Sequence, residues 1–244
     1  KWLIIWQLHV KVMNTIILKP KKEESVKRFH PWVFSGAIAK IVLDKHYPLD
    51  APCEGEVVRV ESAQGDVLGV GHYQVGSIAV RILAFGVDSM PADFWRERMA
   101  AAYRLREAIG LVRPAAVGNL PANTAVVQAH SVGMHLMRQE IAEAIVAEVP
   151  QVKRVYYKSD DTLPFKAPIE GEKTGYLVGE GADEEFWSQE NGLQFRIDWL
   201  RGQKTGFFID QRENRALVER YARGKDVLNM FCYTGGFSVY AMRG

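Results

Sequence analysis

From Met13 to about Gly86 apolar residues return at every second position in short runs. Glu56-Val-Val-Arg-Val-Glu61 and Val67-Leu-Gly-Val70 flank Ala63-Gln-Gly-Asp66, whose glycine and aspartate suit a tight hairpin. Ile78, Val80 and Ile82 alternate with Ala79, Arg81 and Leu83, which gives another strand of period two. Several brief strands with turn signals over about 75 residues predict a small closed β-barrel rather than an open sheet. His30-Pro31-Trp32-Val33-Phe34-Ser35-Gly36 precedes the barrel strands and, as local structure, reads as a turn anchored by a core tryptophan.

The period changes beyond Ser89. Pro91 suits a first helical turn, and Met99, Ala102, Leu105 and Ile109 then recur at helical spacing. Met134, Met137, Ile141 and Ile145 do so in a second helix, while 123–129 and 152–157 read as strands. These elements make an α/β module whose methionine-containing stripes are core. A third region opens with the hairpin-like Glu190-Asn-Gly-Leu-Gln-Phe-Arg-Ile-Asp198. Asp210 and Glu213 have capping-box spacing, so a helix is expected from Asp210, with Leu217, Val218 and Tyr221 on its apolar face and Gly224 ending it. Val227–Phe231, polar only at Asn229, reads as a strand in the middle of a parallel sheet. The expected domains are 13–86, 89–188 and 189–244.

Composition narrows the class only modestly. The 244 residues carry 31 basic and 29 acidic side chains, so the overall balance does not announce a nucleic-acid binder. Arg201–Lys225 is locally basic, with seven cationic and three acidic residues, and Lys19, Lys21, Lys22, Lys27 and Arg28 form a second run. Either run is a solvated face or a phosphate-tracking patch. Cys53 and Cys232 make neither a disulfide framework nor a CxxC metal site, which points to a reducing compartment and no metal. The opening KWLIIWQLHV is apolar for only five residues, too short to span a bilayer, and no small-residue cleavage site follows. Residues 1–12 are therefore set aside as tag-derived or upstream sequence, and a cytoplasmic protein without a membrane partner is expected.

The candidate chemistry lies where the predicted strand meets Tyr233-Thr-Gly-Gly-Phe237. A glycine turn opening a helix gathers free backbone N–H groups and favours an anionic or strongly polar ligand. No GxxxxGK[ST] run exists, and Gly235-Gly236 alone are poor in glycine for a pyrophosphate. S-adenosylmethionine has a carboxylate and an ammonium at its amino-acid end and needs a less open turn, with an amide such as Asn229 nearby. Upstream, Lys204-Thr-Gly-Phe-Phe-Ile-Asp-Gln-Arg212 precedes a helix leading into the strand. Arg212 is placed to clamp a carboxylate with Gln211 as polar partner, and Phe207-Phe208 either line an adenine or base site or belong to the core.

GQKTGFFIDQRENR followed by VLNMFCYTGGF closely resembles the bacterial large-subunit ribosomal-RNA cytosine-5 methyltransferases of the RlmI type, and HPWVFSGAI is similar to the opening of their PUA domain. The resemblance runs from Met13 to the last residue. It implies a PUA-like barrel, a middle α/β domain and a partial class I, Rossmann-like methyltransferase domain. It further implies that S-adenosylmethionine is held by Lys204, Gly206, Phe208, Asp210, Gln211, Arg212, Asn229, Phe231, Tyr233, Thr234, Gly235 and Gly236. Ribosomal RNA is the implied partner, with Lys27, Arg28, His30 and Trp32 as candidate contacts and a homodimer compatible. The family's nucleophilic cysteine lies later in the domain, beyond residue 244, so Cys232 lines the cofactor site and is not the nucleophile.

Two departures from the family are visible. About 55 residues of methyltransferase domain are present where roughly 150–200 are expected, so the 244 residues alone are expected to be inactive. Arg113-Pro-Ala-Ala-Val-Gly-Asn-Leu-Pro121 is too short for a stretch the family usually carries there. A catalytically incomplete RNA-binding module and a guanine methyltransferase of ribosomal RNA remain as alternative readings.

Overall fold

A strand whose two faces alternate between apolar and polar buries one face only if the sheet folds over it, and the N-terminal strands do this by curling. The computed structural model describes residues 13–110, 123–164, 169, 171–181 and 187–244. Residues 1–12 and the 113–121 segment, on which two of the expectations above fall, lie outside the described residues. The chain divides into two units, one comprising Lys1–Glu97, Ala129–Gln139 and Asp161–Gly171, the other Arg98–Gln128, Glu140–Asp160 and Glu172–Gly244.

In the first unit, β1 (Thr15–Leu18), β2 (Trp32–Phe34), β3 (Ile38–Val42), β4 (Val57–Glu61), β5 (Val67–Tyr73) and β6 (Ile78–Phe85) form one sheet in the order β2-β6-β5-β4-β1-β3. All neighbours are antiparallel except β1 and β4. The two outermost strands, β2 and β3, are joined by the single 3-10 turn Ser35–Ala37. So short a link is possible only if the sheet curls until its edges approach. The predicted hairpin is present, with β4 and β5 paired across the Ser62–Asp66 turn. Alternation puts Ile16, Leu18, Val58, Val60, Val80 and Ile82 into one core with Val26 of α1 (Glu24–Lys27) and Val33 of β2. Each such side chain is worth roughly 1.5–3 kcal/mol when removed from water. Trp32 does not anchor a turn from the core: it stands 45% exposed on β2, and Val33 is the residue buried there. The strand's alternation decides this, because inward and outward positions cannot both be apolar anchors.

The helix α2 (Phe94–Ala108) buries Phe94, but Leu105 and Ile109 of its expected apolar stripe are 60% exposed. The second expected helix is two, α3 (Val132–Leu136) and α4 (Arg138–Glu148), with Met137 leaving helical geometry between them. In the first unit α3 comes so close to β5 that a Cβ on Gly133 would lie 2.2 Å from the His72 ring.

The second unit contains a three-stranded sheet, β7 (Thr124–Val127), β8 (Arg154–Lys158) and β9 (Thr174–Val178), in that order, with β7–β8 parallel and β8–β9 antiparallel. It also contains the hairpin β10 (Trp187–Glu190) and β11 (Leu193–Arg196). Asn191 and Gly192 turn it with φ of 48° and 82°, the left-handed pair that a two-residue hairpin loop requires. After a 3-10 turn at Ile209–Gln211 come α5 (Arg212–Ala222) and α6 (Gly236–Arg243). Phe195, Phe207 and Tyr240 form their core.

Three expectations for this region are corrected. The helix starts at Arg212 rather than Asp210, and no side chain caps it; Asp210 instead accepts from Gln211 Nε2 at 2.8 Å. Leu217 and Tyr221 are 48% and 67% exposed, and the buried positions of α5 are Arg215 and Ala222. Val227–Phe231 is not a strand: Leu228, Met230 and Phe231 are 84%, 75% and 94% exposed. A strand exists only through pairing with a neighbour, and among the described residues none pairs with this run.

Candidate functional site

The loop after β11 folds around one backbone oxygen. Asp198 O accepts from Gly202 N–H at 2.9 Å, and Asp198 Oδ1 accepts from Arg201 N–H at 2.9 Å. A Cβ on Gly202 would lie 2.2 Å from that carbonyl oxygen and one on Gly206 2.8 Å, and Gly206 has φ +88°. Only glycine fits either place. Lys158, at the end of β8, fastens the loop by donating its ammonium to the carbonyls of Trp199 and Gly202. Nothing in the local sequence pattern marks Lys158 for this role, because its partners are more than forty positions away.

Tyr233 joins this loop to the glycine turn. Its hydroxyl oxygen accepts from Gln203 N–H at 2.9 Å, and it lies 3.4 Å from Gly206 O as a donor. Its ring meets Phe208 edge-on at 5.4 Å, and the Lys204 ammonium lies 5.4 Å from the centre of the Phe208 ring. The turn closes through Gly235 N–H donating to Cys232 O at 2.6 Å, with Gly235 left-handed at φ +76° as the uncapped start of α6. Asn229 Nδ2 donates to Ser238 Oγ at 3.0 Å, tying the segment before the turn to the first turn of the helix.

Beneath the turn lies a side chain the sequence reading passed over. Arg215 is 3% exposed, gives two hydrogen bonds of 2.7 Å to the Glu190 carboxylate, donates to Phe208 O at 3.0 Å and stacks on the Phe207 ring at 4.5 Å. Tyr240 also donates to Glu190, at 3.0 Å; burial, reinforced by that carboxylate, pushes its hydroxyl pKa up. A Cβ on Gly236 would lie 3.2 Å from Arg215 Cδ, whereas one on Gly235 would meet nothing within 4 Å. The glycine pair thus has a packed side and an open side.

Of the residues implied by the resemblance, Lys204, Gly206, Phe208 and Tyr233 come together, and Gly235 and Gly236 follow Tyr233 in the turn. Asp210, Gln211 and Arg212 are not bonded to the turn among the described residues: Arg212 pairs with its neighbour Glu213 at 3.0 Å, and Gln211 accepts from Asn214 at 2.9 Å. Thr234 and Phe231 are exposed beside it. Phe207 is core and Phe208 faces Tyr233. Cys232 is exposed at the turn's lip. The uncapped α6 start, the open face over Gly235 and the adjoining aromatic pair fit the amino-acid end and ring of a cofactor such as S-adenosylmethionine. Among the described residues, no cluster of His, Cys, Asp or Glu could hold a metal ion.

Of the RNA candidates, Lys27, Arg28, His30 and Trp32 are all exposed in the first unit. Lys27 lies 3.7 Å from Asp66, a surface pair that is weak in water. His30 Nδ1 accepts from Trp32 N–H at 3.2 Å, and the two rings meet edge-on at 5.9 Å.

Residues 16–85 match the model of a PUA-like domain, and residues 171–244 match that of an S-adenosylmethionine-dependent methyltransferase. "Ribosomal RNA large subunit methyltransferase I" of Photobacterium profundum is 34% identical over 95% of this chain and 60% of its own length. Its namesake from Shewanella amazonensis is 36% identical over 93% of this chain, again 60% of its own length. The chain is similar to large-subunit ribosomal-RNA methyltransferases I over nearly all of its length. It spans about 60% of the length of the relatives it matches. A SAM-dependent methyltransferase of Streptococcus mutans superposes with a TM-score of 0.68 at 20% identity, covering 94% of this chain and 60% of its own. A methyltransferase solved with SAH superposes with a TM-score of 0.71 at 21% identity, with the same coverage. Both likenesses show the fold: a PUA-like sheet followed by α/β methyltransferase elements. S-adenosylmethionine is the cofactor of the methyltransferases whose family model residues 171–244 match. Among the described residues no helix is long and apolar enough to cross a membrane.

Proposed function

We propose that the protein methylates large-subunit ribosomal RNA at C5 of a cytosine, using S-adenosylmethionine. The observation that carries this reading is the junction of the Gly202–Phe208 loop with the Tyr233–Gly236 turn through the Tyr233 hydroxyl. Gly235 and the first N–H groups of α6 hold the cofactor's carboxylate. Phe208 and Tyr233 flank its ring, and Lys204, Gly206, Asn229, Phe231, Thr234 and Gly236 complete the wall. Asp210, Gln211 and Arg212 join it once Arg212 exchanges Glu213 for the ligand. The 13–86 barrel, through Lys27, Arg28, His30 and Trp32, and the basic Arg201–Lys225 segment hold the RNA backbone, so affinity falls steeply with salt.

In the proposed chemistry a cysteine thiolate adds to C6 of the base, which makes C5 nucleophilic toward the methyl group that bound S-adenosylmethionine would supply, leaving S-adenosylhomocysteine. Loss of the C5 proton then expels the thiolate. Cys232 has no part in that attack. The exposed Val227–Phe231 run favours a second reading for these 244 residues taken alone, an RNA-binding module with an incomplete cofactor wall.

Titration of S-adenosylhomocysteine into a protein of the relatives' length is expected to give one site per chain, weakened about tenfold or more by Gly235→Val. Digestion of treated ribosomal RNA to nucleosides is expected to yield 5-methylcytidine. A methylated guanosine would overturn the cytosine assignment, and absence of any cofactor binding would overturn the enzyme reading.

A further inference from the structure

A cavity of about 340 Å³ opens beside the short edge strand β2 in the first unit. That is near the small end of the range of about 300–1,000 Å³ typical of ligand sites. Its construction follows from the strand's alternation. Val33 points inward and closes the floor, while Trp32 and Phe34 point outward and form a rim, 45% and 49% exposed. His30 braces that rim, with ring centroids 5.9 Å from Trp32 and 6.3 Å from Phe34. The rest of the wall includes Lys22, Ser25 and Gly36, and among the described residues no carboxylate lines it. A second ammonium stands at the Gly36 side, where Lys19 donates to the Gly36 carbonyl at 2.9 Å. Arg28 follows at the end of α1.

Two surface aromatics fixed by a neighbouring ring, over a dry floor and between cations, suit a flat uncharged ring carried on an anionic backbone. We infer that this cavity takes a single unpaired nucleobase of RNA, so that the N-terminal unit selects single-stranded or bulged RNA over duplex. The base enters between Trp32 and Phe34, Ser25 Oγ and the Gly36 backbone face its polar edge, and Lys19 and Lys22 meet the flanking phosphates. A base inside a duplex exposes no free face to these rings, whereas an unstacked one does. The inference rests on the RNA-binding reading proposed above and adds to it a pocket and a strand preference.

The test measures affinity by fluorescence anisotropy for three probes: a single-stranded oligoribonucleotide, a duplex of the same sequence, and an abasic ribose-phosphate strand of equal length. The single strand is expected to bind about tenfold more tightly than the abasic strand, on the scale of one base stacked on aromatic side chains. Gly36→Leu is the obstructing variant, because it adds bulk to a residue that lines the cavity and a Cβ there meets nothing within 4 Å. It and Trp32→Ala are each expected to weaken single-strand binding about tenfold and duplex binding less than twofold, with thermal unfolding recorded alongside to confirm folding. Equal affinity for the abasic and base-bearing strands would overturn the pocket, as would parallel losses on single strand and duplex. If wild-type protein binds none of the probes in a salt-dependent way, the RNA-binding reading itself fails and the pocket with it.

Discussion

The curled sheet of 15–85 and the segment of 197–244 are of comparable apolar content, yet one closes on itself and the other leaves its apolar run in solvent. In the sheet, every strand from β1 to β6 finds partners within about seventy residues, and its two edges are drawn together by the three-residue Ser35–Ala37 turn. In the later segment, Leu228, Met230 and Phe231 have the composition of a central strand and are almost fully exposed. Antiparallel pairing is satisfied by hairpins close in sequence, whereas a parallel strand depends on crossovers of a dozen residues or more. The later segment is held by the small Phe195–Phe207–Tyr240 core together with a polar device, the buried Arg215–Glu190 pair under the glycine turn.

The strongest way to break this contrast is to remove that pair. Arg215→Ala leaves Glu190 buried without its partner and is expected to destabilise the second unit by about 3–5 kcal/mol, read as a loss of its unfolding transition in urea. An unfolding curve unchanged within error would show that the turn is held by something else.

Protonating His72 should strike the sheet instead. Burial, with the nearby Arg81 charge second, holds its pKa down to about 4, against 6.5 in the unfolded chain. Between those values the unfolded state binds the proton and the folded state does not, so stability falls as pH drops from about 6.5 to about 4 and levels off below. At about 1.4 kcal/mol per pH unit the full loss is roughly 3 kcal/mol. Chemical denaturation at pH 7 and pH 5 is expected to differ in the wild type and to differ less in His72→Phe. Gly133→Ala, which would drive a methyl into the same imidazole, is expected to cost about 1–3 kcal/mol, measured by thermal unfolding.

The smallest effect is expected where the apolar run is exposed. Phe231→Ser should change stability by less than about 0.5 kcal/mol while reducing self-association in light scattering. A loss of several kcal/mol would mean that Phe231 is covered after all.

Much of the sheet was legible because hairpin strands carry their own record: alternation at Val57–Glu61, the turn at Gly65 and alternation again at Ile78–Phe85 require nothing remote. The glycine turn was equally legible, since Gly235 needs a left-handed backbone and α6 follows it directly. Arg215 was hidden because a charged residue within a helical pattern reads as solvent-facing, and only the Glu190 carboxylate, 25 positions away, makes its burial tolerable. Leu217 and Tyr221 misled for the opposite reason, since a helical stripe states which face is apolar and not whether anything covers it.

Local periodicity and backbone requirements, then, lie in the sequence itself: the β4–β5 hairpin, the Asn191-Gly192 turn and the glycine-opened α6. Tertiary structure alone decided which apolar residues are buried, that Trp32 stands at a rim while Val33 is core, that Lys158 fastens the Gly202 loop to β8, and that Tyr233 fastens it to the glycine turn. The physical reason is that burial and long-range hydrogen bonds are properties of pairs, and a single chain position specifies only one member of each pair.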